Sequence, residues 1–448
     1  MDRKAHVMII PYPSQGHVGP LMKLAYNLAD EGFKVTFVNT ESIHTKIMSA
    51  IPQEFEEHSL ISLVSVPEGL EFNRHGKDRF EEVAERFDHL KNLIEKINRL
   101  ENDEPITHVI ADISVGWALQ VSKKMGIKST AFVPYGSANF ALVLQFPKLI
   151  EAGIMDVNGI PLKDEFISLS KEIPAWNTNE LVWSFHGDQE LQKLIFRHFI
   201  RETVEYVKIS DFLLVNSACE LEQSACDLIP NAIPIGPLHA SNHFAGNLWP
   251  EDSTCLTWLD RQPNGSVIYL AFGSTVVYNK QQFNELAFGL EITGQPFLWV
   301  VRSDFTEAEF PDGFLERTAN SGKIVKWAPQ EKVLAHTSIS CFVSHCGWNS
   351  TMEGLSMGVP FLCWPYCADQ FHNKDTICKN WKVGVGLVPD ENGIVTRDEI
   401  KGKIEQLVSD KDIKVNSLKL KKMARKSISE GGSSFKNFLS FVEQIKKF

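Results

Sequence analysis

The sequence predicts an α/β protein built from two Rossmann-like βα halves. Three observations carry that reading. Short β-branched runs alternate with helix-patterned stretches along most of the 448 residues, as parallel sheets with crossover helices require. The alternation lapses once, at GPLHASNHFAGNLWPED (236–252), where glycine, proline and asparagine give the chain linker character. A second βα series begins after it. The expected domains are therefore 1–240 and 253–448, joined at about 241–252, with the last helix able to pack back on the N-terminal half.

The first unit is the clearest. A strand over His6 to Pro11 meets a Pro/Ser/Gln/Gly loop, and a helix follows with Leu21, Leu24, Ala25 and Leu28 on one face. Pro20 is expected in the first turn of that helix, where a missing N–H costs nothing. Further strands are expected at Val35 to Val38, Ile61 to Val66, His108 to Ala111, Ser129 to Val133 and in DFLLVN ending at Asn216. The amphipathic run Arg79 to Leu100 reads as a helix. Past the linker, strands are expected at Ser266 to Ser274, Pro296 to Val301, Lys323 to Trp327, Ser340 to His345 and Val359 to Cys363. Lysine-rich helices from about Arg397, with solvated charged faces, close the chain.

Composition narrows the function. A hydrophobic share of 43% with 23% charged residues is that of a chain able to bury substantial cores. Lys and Arg number 45 against 56 Asp and Glu, and the net charge of −11 disfavours a broad nucleic-acid or anionic-membrane surface. No apolar run approaches a membrane span, and the N-terminus MDRKAHVMIIPYPSQGH reaches Pro, Gln and His too soon for a secretory signal. A cytoplasmic protein is expected, its eight cysteines reduced and mostly acting as small buried hydrophobes. None forms a CxxC, and Cys363 and Cys367 lack a second ligand pair at zinc spacing. The sequons at Asn264 and Asn349 carry no meaning in that compartment.

Ligands of doubly wound sheets bind beyond the carboxyl ends of strands, which selects the loops PYPSQGH, ADIS, FGST and HCGWNS. The last lies in FVSHCGWNSTMEG (342–354). There a strand is expected to stop at His345, Gly347 permits close backbone approach, and a helix is expected from near Ser350. Gly347, Asn349 and Ser350 with His345 could cradle an anion at the helix start. Equally, Ser350-Thr-Met-Glu353 is an S-x-x-E capping box that accounts for Ser350 and Glu353 with no ligand. Both readings stand on these residues alone. A metal pair is disfavoured because His345 and Cys346, adjacent in a strand, would point to opposite faces. A Cys346 nucleophile would need a base that the sequence does not announce. Gly384 and Gly386 open a G-x-G, but Pro389 occupies the third glycine position, and no GxxxxGK[ST] occurs.

The surroundings of that loop carry a longer pattern. WAPQEKVLAHTSISCFVSHCGWNSTMEGLSMGVPFLCWPYCADQ, from Trp327 to Gln370, closely resembles the signature box of plant family 1 UDP-dependent glycosyltransferases: W-x-P-Q-x-x-V-L-x-H, F-x-x-H-C-G-W-N-S-x-x-E, G-V-P, W-P and a closing D-Q. PYPSQGHVGPL resembles that family's P-x-P-x-Q-G-H-x-x-P, and LVNSACELE and YLAFGS match as well. The likeness spans both halves.

This resemblance implies the GT-B fold, two Rossmann-like βα domains facing a cleft. It implies an inverting enzyme that moves glucose from UDP-glucose to a hydroxyl of a small lipophilic plant metabolite, a flavonoid, another phenolic or a terpenoid. By similarity, Trp327 stacks on uracil, the Ala328 backbone bonds its edge, and Gln330 and Glu353 bond the ribose. His345, Asn349, Ser350 and Ser274 hold the diphosphate without a bound metal. Asp369 and Gln370 bond the sugar hydroxyls, with Trp348 nearby, and the terminal Gln suggests glucose. Asp369 could alternatively cap the helix that follows it. His17 matches the general base, kept neutral by the helix it opens, and Asp112 the partner that orients it. No resident cofactor, nucleic-acid partner or membrane span is implied, and a monomer is expected. Phe72 to Phe87, Tyr135 to Phe146 and Trp176 to Phe199 are candidates for the acceptor pocket, although core packing explains such residues equally well.

One departure stands out. Where many relatives carry a Ser or Thr that reaches the sugar, the segment AFVPYG has Pro134, which offers no side-chain donor. The competing classes are a non-catalytic nucleotide-sugar-binding protein and an NAD-linked oxidoreductase. The first is disfavoured by intact His17 and Asp112, the second by the missing glycine fingerprint.

Overall fold

The structure is a computed structural model that describes residues 5–51, 60–67, 79–100, 104–185, 187–239, 244–274, 276–302 and 310–448, with backbone alone for 79–85. The chain forms two compact units. One comprises Met1–Leu169, Asn177–Pro250 and Lys426–Phe448, the other Ser170–Trp176 and Glu251–Arg425.

In the first unit seven strands make one sheet, in the order Ile61–Val66, Lys34–Thr40, His6–Ile10, Ile106–Asp112, Lys128–Val133, Phe212–Val215, Ala232–Pro234. Every neighbouring pair is parallel. Alternation divides the apolar strand residues between two faces: Val7 and Ile9 join one core with Leu21, Leu24 and Phe37, while Met8 and Ile10 join another with Ile94, Val109 and Ala131. Helix Gln15–Asp30 covers the first face and helix Arg79–Asn98 the second.

The C-terminal helix Ser433–Ile445 groups with this unit. Phe441, Val442 and Ile445 are almost wholly buried in the core that holds Val7 and Ile9. Burying three such side chains contributes roughly 6 kcal/mol. Asn437 Nδ2 and Ser434 Oγ add hydrogen bonds to the carbonyls of Pro234 (2.9 Å) and Gly236 (2.6 Å).

The second unit holds a six-stranded parallel sheet, Gly322–Val325, Phe297–Val300, Val267–Ala271, Ile339–Ser344, Phe361–Cys363, Gly384–Gly386. Helices Lys280–Thr293 and Arg397–Ser409 pack on it through Phe283, Leu286, Ile400 and Ile404. Two edge strands, Ala232–Pro234 and Gly384–Gly386, were not expected; the glycine pair of G-x-G is the far edge of this sheet.

Several expectations shift. Pro20 sits in the second turn, because the helix opens at Gln15. Within Tyr135 to Phe146, Phe140, Ala141, Leu142 and Val143 are fully buried core. Trp176 groups with the second unit, where its ring stacks on that of His372 at 4.1 Å. Residues 72–78 of the Phe72 to Phe87 stretch, and 240–243 of the linker, lie outside the described residues. Glu222 of the LVNSACELE motif is buried, and burial pushes its carboxyl up. It accepts from the backbone N–H groups of Ser137 (2.8 Å) and Ala138 (3.1 Å), so it caps helix Ser137–Leu144, whose own cap residue is a glycine. No helix among the described residues is long and apolar enough to cross a membrane.

Candidate active site

In the first sheet the strand order reverses between His6–Ile10 and Ile106–Asp112, with Ile10 beside Ala111. Residues just past both strands therefore converge. Ser14 ends the loop in an extended conformation and its carbonyl accepts from the N–H groups of His17 (3.0 Å) and Val18 (2.9 Å). That places His17 in the first turn of the helix. Its Nδ1 lies 2.7 Å from Asp112 Oδ2, with the imidazole 24% and the carboxylate 0% exposed. The other carboxylate oxygen, Oδ1, accepts from Ser114 N–H at 2.8 Å. Tyr12 packs edge-on against the imidazole, ring centres 5.1 Å apart. A buried carboxylate held on both oxygens fixes the ring and leaves Nε2 as the nitrogen that can take a proton.

In the second sheet the order reverses between Val267–Ala271 and Ile339–Ser344. The strand ends at Ser344, one residue earlier than expected, and Cys346 turns into the left-handed region at φ 65°. The helix opens at Trp348 with Gly347 as its cap, so Ser350 is already its third residue. The expected capping box is absent. Ser350 Oγ and Glu353 Oε2 instead accept from one group, Gln330 Nε2, at 2.9 and 2.8 Å. Gln330 Oε1 in turn accepts from the hydroxyl of Tyr269 at 3.1 Å. Gln330, Ser350 and Glu353 are thus brought together around one amide.

His345 is buried, and burial pushes its imidazole down to about 4, against a smaller opposing pull from the Ala271 carbonyl. A neutral imidazole can donate to an anion without carrying charge into the core. Two glycines make room for the ring. A Cβ on Gly273 would stand 2.6 Å from His345 Nε2, and one on Gly347 2.4 Å. Gly273 itself turns into the left-handed region at φ 68°, and Ser274 follows it in the chain. Trp327 and Ala328 follow strand Gly322–Val325, Trp327 half-buried with its carbonyl bonded to Asp252 N–H at 2.9 Å. Trp348 is buried, its ring centre 6.3 Å from that of Trp381. Asn349, half-buried, is the second residue of its helix.

Asp369 stands at the cap position of helix Gln370–Asp375 but makes no side-chain cap bond. Its Oδ2 accepts instead from Asn373 Nδ2 at 2.9 Å. Gln370 is 5% exposed and its Oε1 closes its own loop, accepting from the N–H groups of Tyr366 (2.8 Å) and Cys367 (3.1 Å). Less of its amide is available to a ligand than its place in the box implies. Cys346 is fully buried, as expected of a packing residue. Among the described residues no cluster of three or more His, Cys, Asp or Glu side chains could hold a metal ion. Tyr269 and Asn373 were missed by sequence reasoning. Their partners lie 61 and 27 residues away, at Gln330 and Cys346, and only the sheet brings them together.

Two parallel doubly wound sheets with polar clusters at their switch points are the architecture of GT-B glycosyltransferases, and solved structures agree. A Polygonum tinctorium UDP-glucosyltransferase capable of glucosylating indoxyl, in complex with 3,4-dichloroaniline, matches with a TM-score of 0.82 and 27% identity over 100% of both chains. Phytolacca americana UGT2, complexed with UDP-2fluoro-glucose and pterostilbene, matches at 0.80 and 26% over 99% of this chain and 100% of that one. The model of the UDP-glucoronosyl and UDP-glucosyl transferase family matches residues 191–428. UDP-glycosyltransferase 83A1 of Arabidopsis thaliana is 41% identical over 99% of this chain and 97% of its own. The chain belongs to the plant family 1 UDP-glycosyltransferases and is a glycosyltransferase enzyme.

Proposed function

We propose that the chain is an inverting UDP-glucose-dependent O-glucosyltransferase acting on a small lipophilic metabolite, a flavonoid, another phenolic or a terpenoid, in the cytoplasm. The observation that carries the mechanism is the 2.7 Å contact from His17 Nδ1 to fully buried Asp112. His17 Nε2 takes the proton of the acceptor hydroxyl while its oxygen attacks the anomeric carbon. The bond from that carbon to the diphosphate oxygen breaks on the opposite face, and UDP leaves with the electron pair. The α-linked donor becomes a β-glycoside. Asp112 orients the imidazole and stabilises it once protonated.

At the donor end, His345, Asn349, Ser350 and Ser274 meet the growing diphosphate charge with neutral donors and a helix N-terminus. Gln330 and Glu353 face the ribose, Trp327 the uracil with Ala328 at its edge, and Asp369 with Gln370 the sugar, near Trp348. Support comes from the neutral, glycine-walled imidazole of His345 and from the amide that groups Gln330, Ser350 and Glu353. Pro134, buried after strand Lys128–Val133, supplies no side-chain donor to the sugar, which leaves Asp369 and Gln370 with more of the selection.

The test is incubation with UDP-glucose and a panel of plant phenolics and terpenoids, read as UDP release and a glucosylated product by mass spectrometry. His17→Ala is expected to abolish product while UDP still binds. Full turnover in that variant would sink the mechanism. UDP binding without turnover in the natural sequence would favour a non-catalytic nucleotide-sugar-binding protein, and product from another UDP-sugar alone would overturn glucose.

A further inference from the structure

We propose that Asn373 is a positioning residue that holds the sugar end of the donor site in register with its diphosphate end, and thereby sets the preference for glucose over its epimers. The proposal rests on the reading above, in which Asp369 bonds the sugar and the loop from His345 to Ser350 holds the diphosphate. Asn373 is 1% exposed, on the inner side of helix Gln370–Asp375. Its Nδ2 donates to two acceptors, the Cys346 carbonyl at 2.9 Å and Asp369 Oδ2 at 2.9 Å. An amide nitrogen has two hydrogens, and this one directs both at opposite ends of the site.

Each contact constrains something that is otherwise loose. Cys346 adopts a left-handed conformation that side-chain-bearing residues rarely take. The turn persists because its N–H donates to Ser344 Oγ at 3.1 Å and its carbonyl is held by Asn373. That turn aims His345 and the start of helix Trp348–Met357. Asp369, for its part, makes no side-chain cap bond to the backbone of the helix it precedes. Anchoring Oδ2 fixes the plane of the carboxylate, and with it the direction of the second oxygen. Sugar epimers differ in the direction of one hydroxyl, so a carboxylate of fixed plane discriminates where a rotating one does not.

The experiment compares Asn373→Asp, which keeps the shape and loses both donor hydrogens, with the unchanged enzyme and with Asp369→Ala. The readouts are the ratio of kcat/KM for UDP-glucose over UDP-galactose, the inhibition constant of UDP, and Tm. Asn373→Asp is expected to lower the ratio at least about tenfold and to raise KM for UDP-glucose more than the inhibition constant of UDP. A lower Tm with the ratio unmoved would mean a merely structural role and overturn the proposal. If Asp369→Ala also leaves the ratio unmoved, or the unchanged enzyme has no preference, the underlying reading fails and the proposal with it. If Asp369→Ala collapses the ratio and Asn373→Asp does not, the reading stands and the proposal alone falls. Should Asn373→Asp not fold, Asn373→Thr retains one donor; a ratio lowered about threefold or more supports the proposal, and an unchanged ratio overturns it.

Discussion

Replacing Asp112 by Asn changes one atom and should cost most of the catalysis. The carboxylate is fully buried and accepts two hydrogen bonds, from His17 Nδ1 at 2.7 Å and Ser114 N–H at 2.8 Å. An amide has only one acceptor to offer them. If its oxygen keeps Ser114, its NH2 faces His17 Nδ1, which must then become the acceptor; the imidazole proton moves to Nε2 and the base is lost. If its oxygen turns to His17, two donors confront each other at Ser114, at a cost of roughly 1–3 kcal/mol for the unsatisfied buried group. Either arrangement also removes the negative charge that stabilises the imidazolium. The same exchange in a hydrolase triad costs on the order of 10⁴ in kcat, about 5.5 kcal/mol in the barrier, and a loss of about 10³ to 10⁴ is expected here. Single-turnover kinetics at saturating UDP-glucose and acceptor measure the chemical step, and calorimetric titration with UDP measures donor binding, which should stay within about twofold. A kcat within tenfold of the unchanged enzyme would refute the assignment of His17 and Asp112 as base and partner.

Two further outcomes are expected. Tyr269→Phe removes the bond that holds Gln330 Oε1, worth about 1 kcal/mol, so KM for UDP-glucose should rise about fivefold with kcat nearly unchanged in steady-state assays. A fall in kcat at constant KM would contradict a role in donor binding. Burial pushes His345 and His372 down to about 4 from the ordinary 6.5, so the unfolded chain binds their protons first and stability falls as pH drops below 6.5. By pH 5 each costs about 2 kcal/mol, and thermal melts between pH 7.5 and 5 should show the loss, flattened in His372→Gln. An identical slope in that variant would count against the assignment.

One contiguous box names most of the residues proposed for the donor end, and strand-end logic selects loops that the structure places at both switch points. His17 and Asp112 were legible for the same reason, although 95 residues separate them. What escaped was set by groups that sequence periodicity does not encode. Ser350 and Glu353 match a capping box, yet the helix starts at Trp348 and Gln330 claims both side chains across 20 and 23 residues. The strand Gly384–Gly386 lacks β-branched bulk at its ends, and its parallel neighbour Phe361–Cys363 supplies the pairing that its composition does not. Pro20 suggested a helix start because proline is favoured there, but the chain enters the helix five residues earlier.

The C-terminal helix bears on how such enzymes can be recombined. Phe441, Val442 and Ile445 plug the same core as Val7 and Ile9, while Ser170–Trp176 groups with the unit that begins at Glu251. A chimera cut once near Pro250 would therefore carry a foreign plug at one place and a foreign strap at another. Swapping one unit between relatives calls for four junctions, at 169/170, 176/177, 250/251 and 425/426, so that 170–176 travels with 251–425 and 426–448 with the first unit.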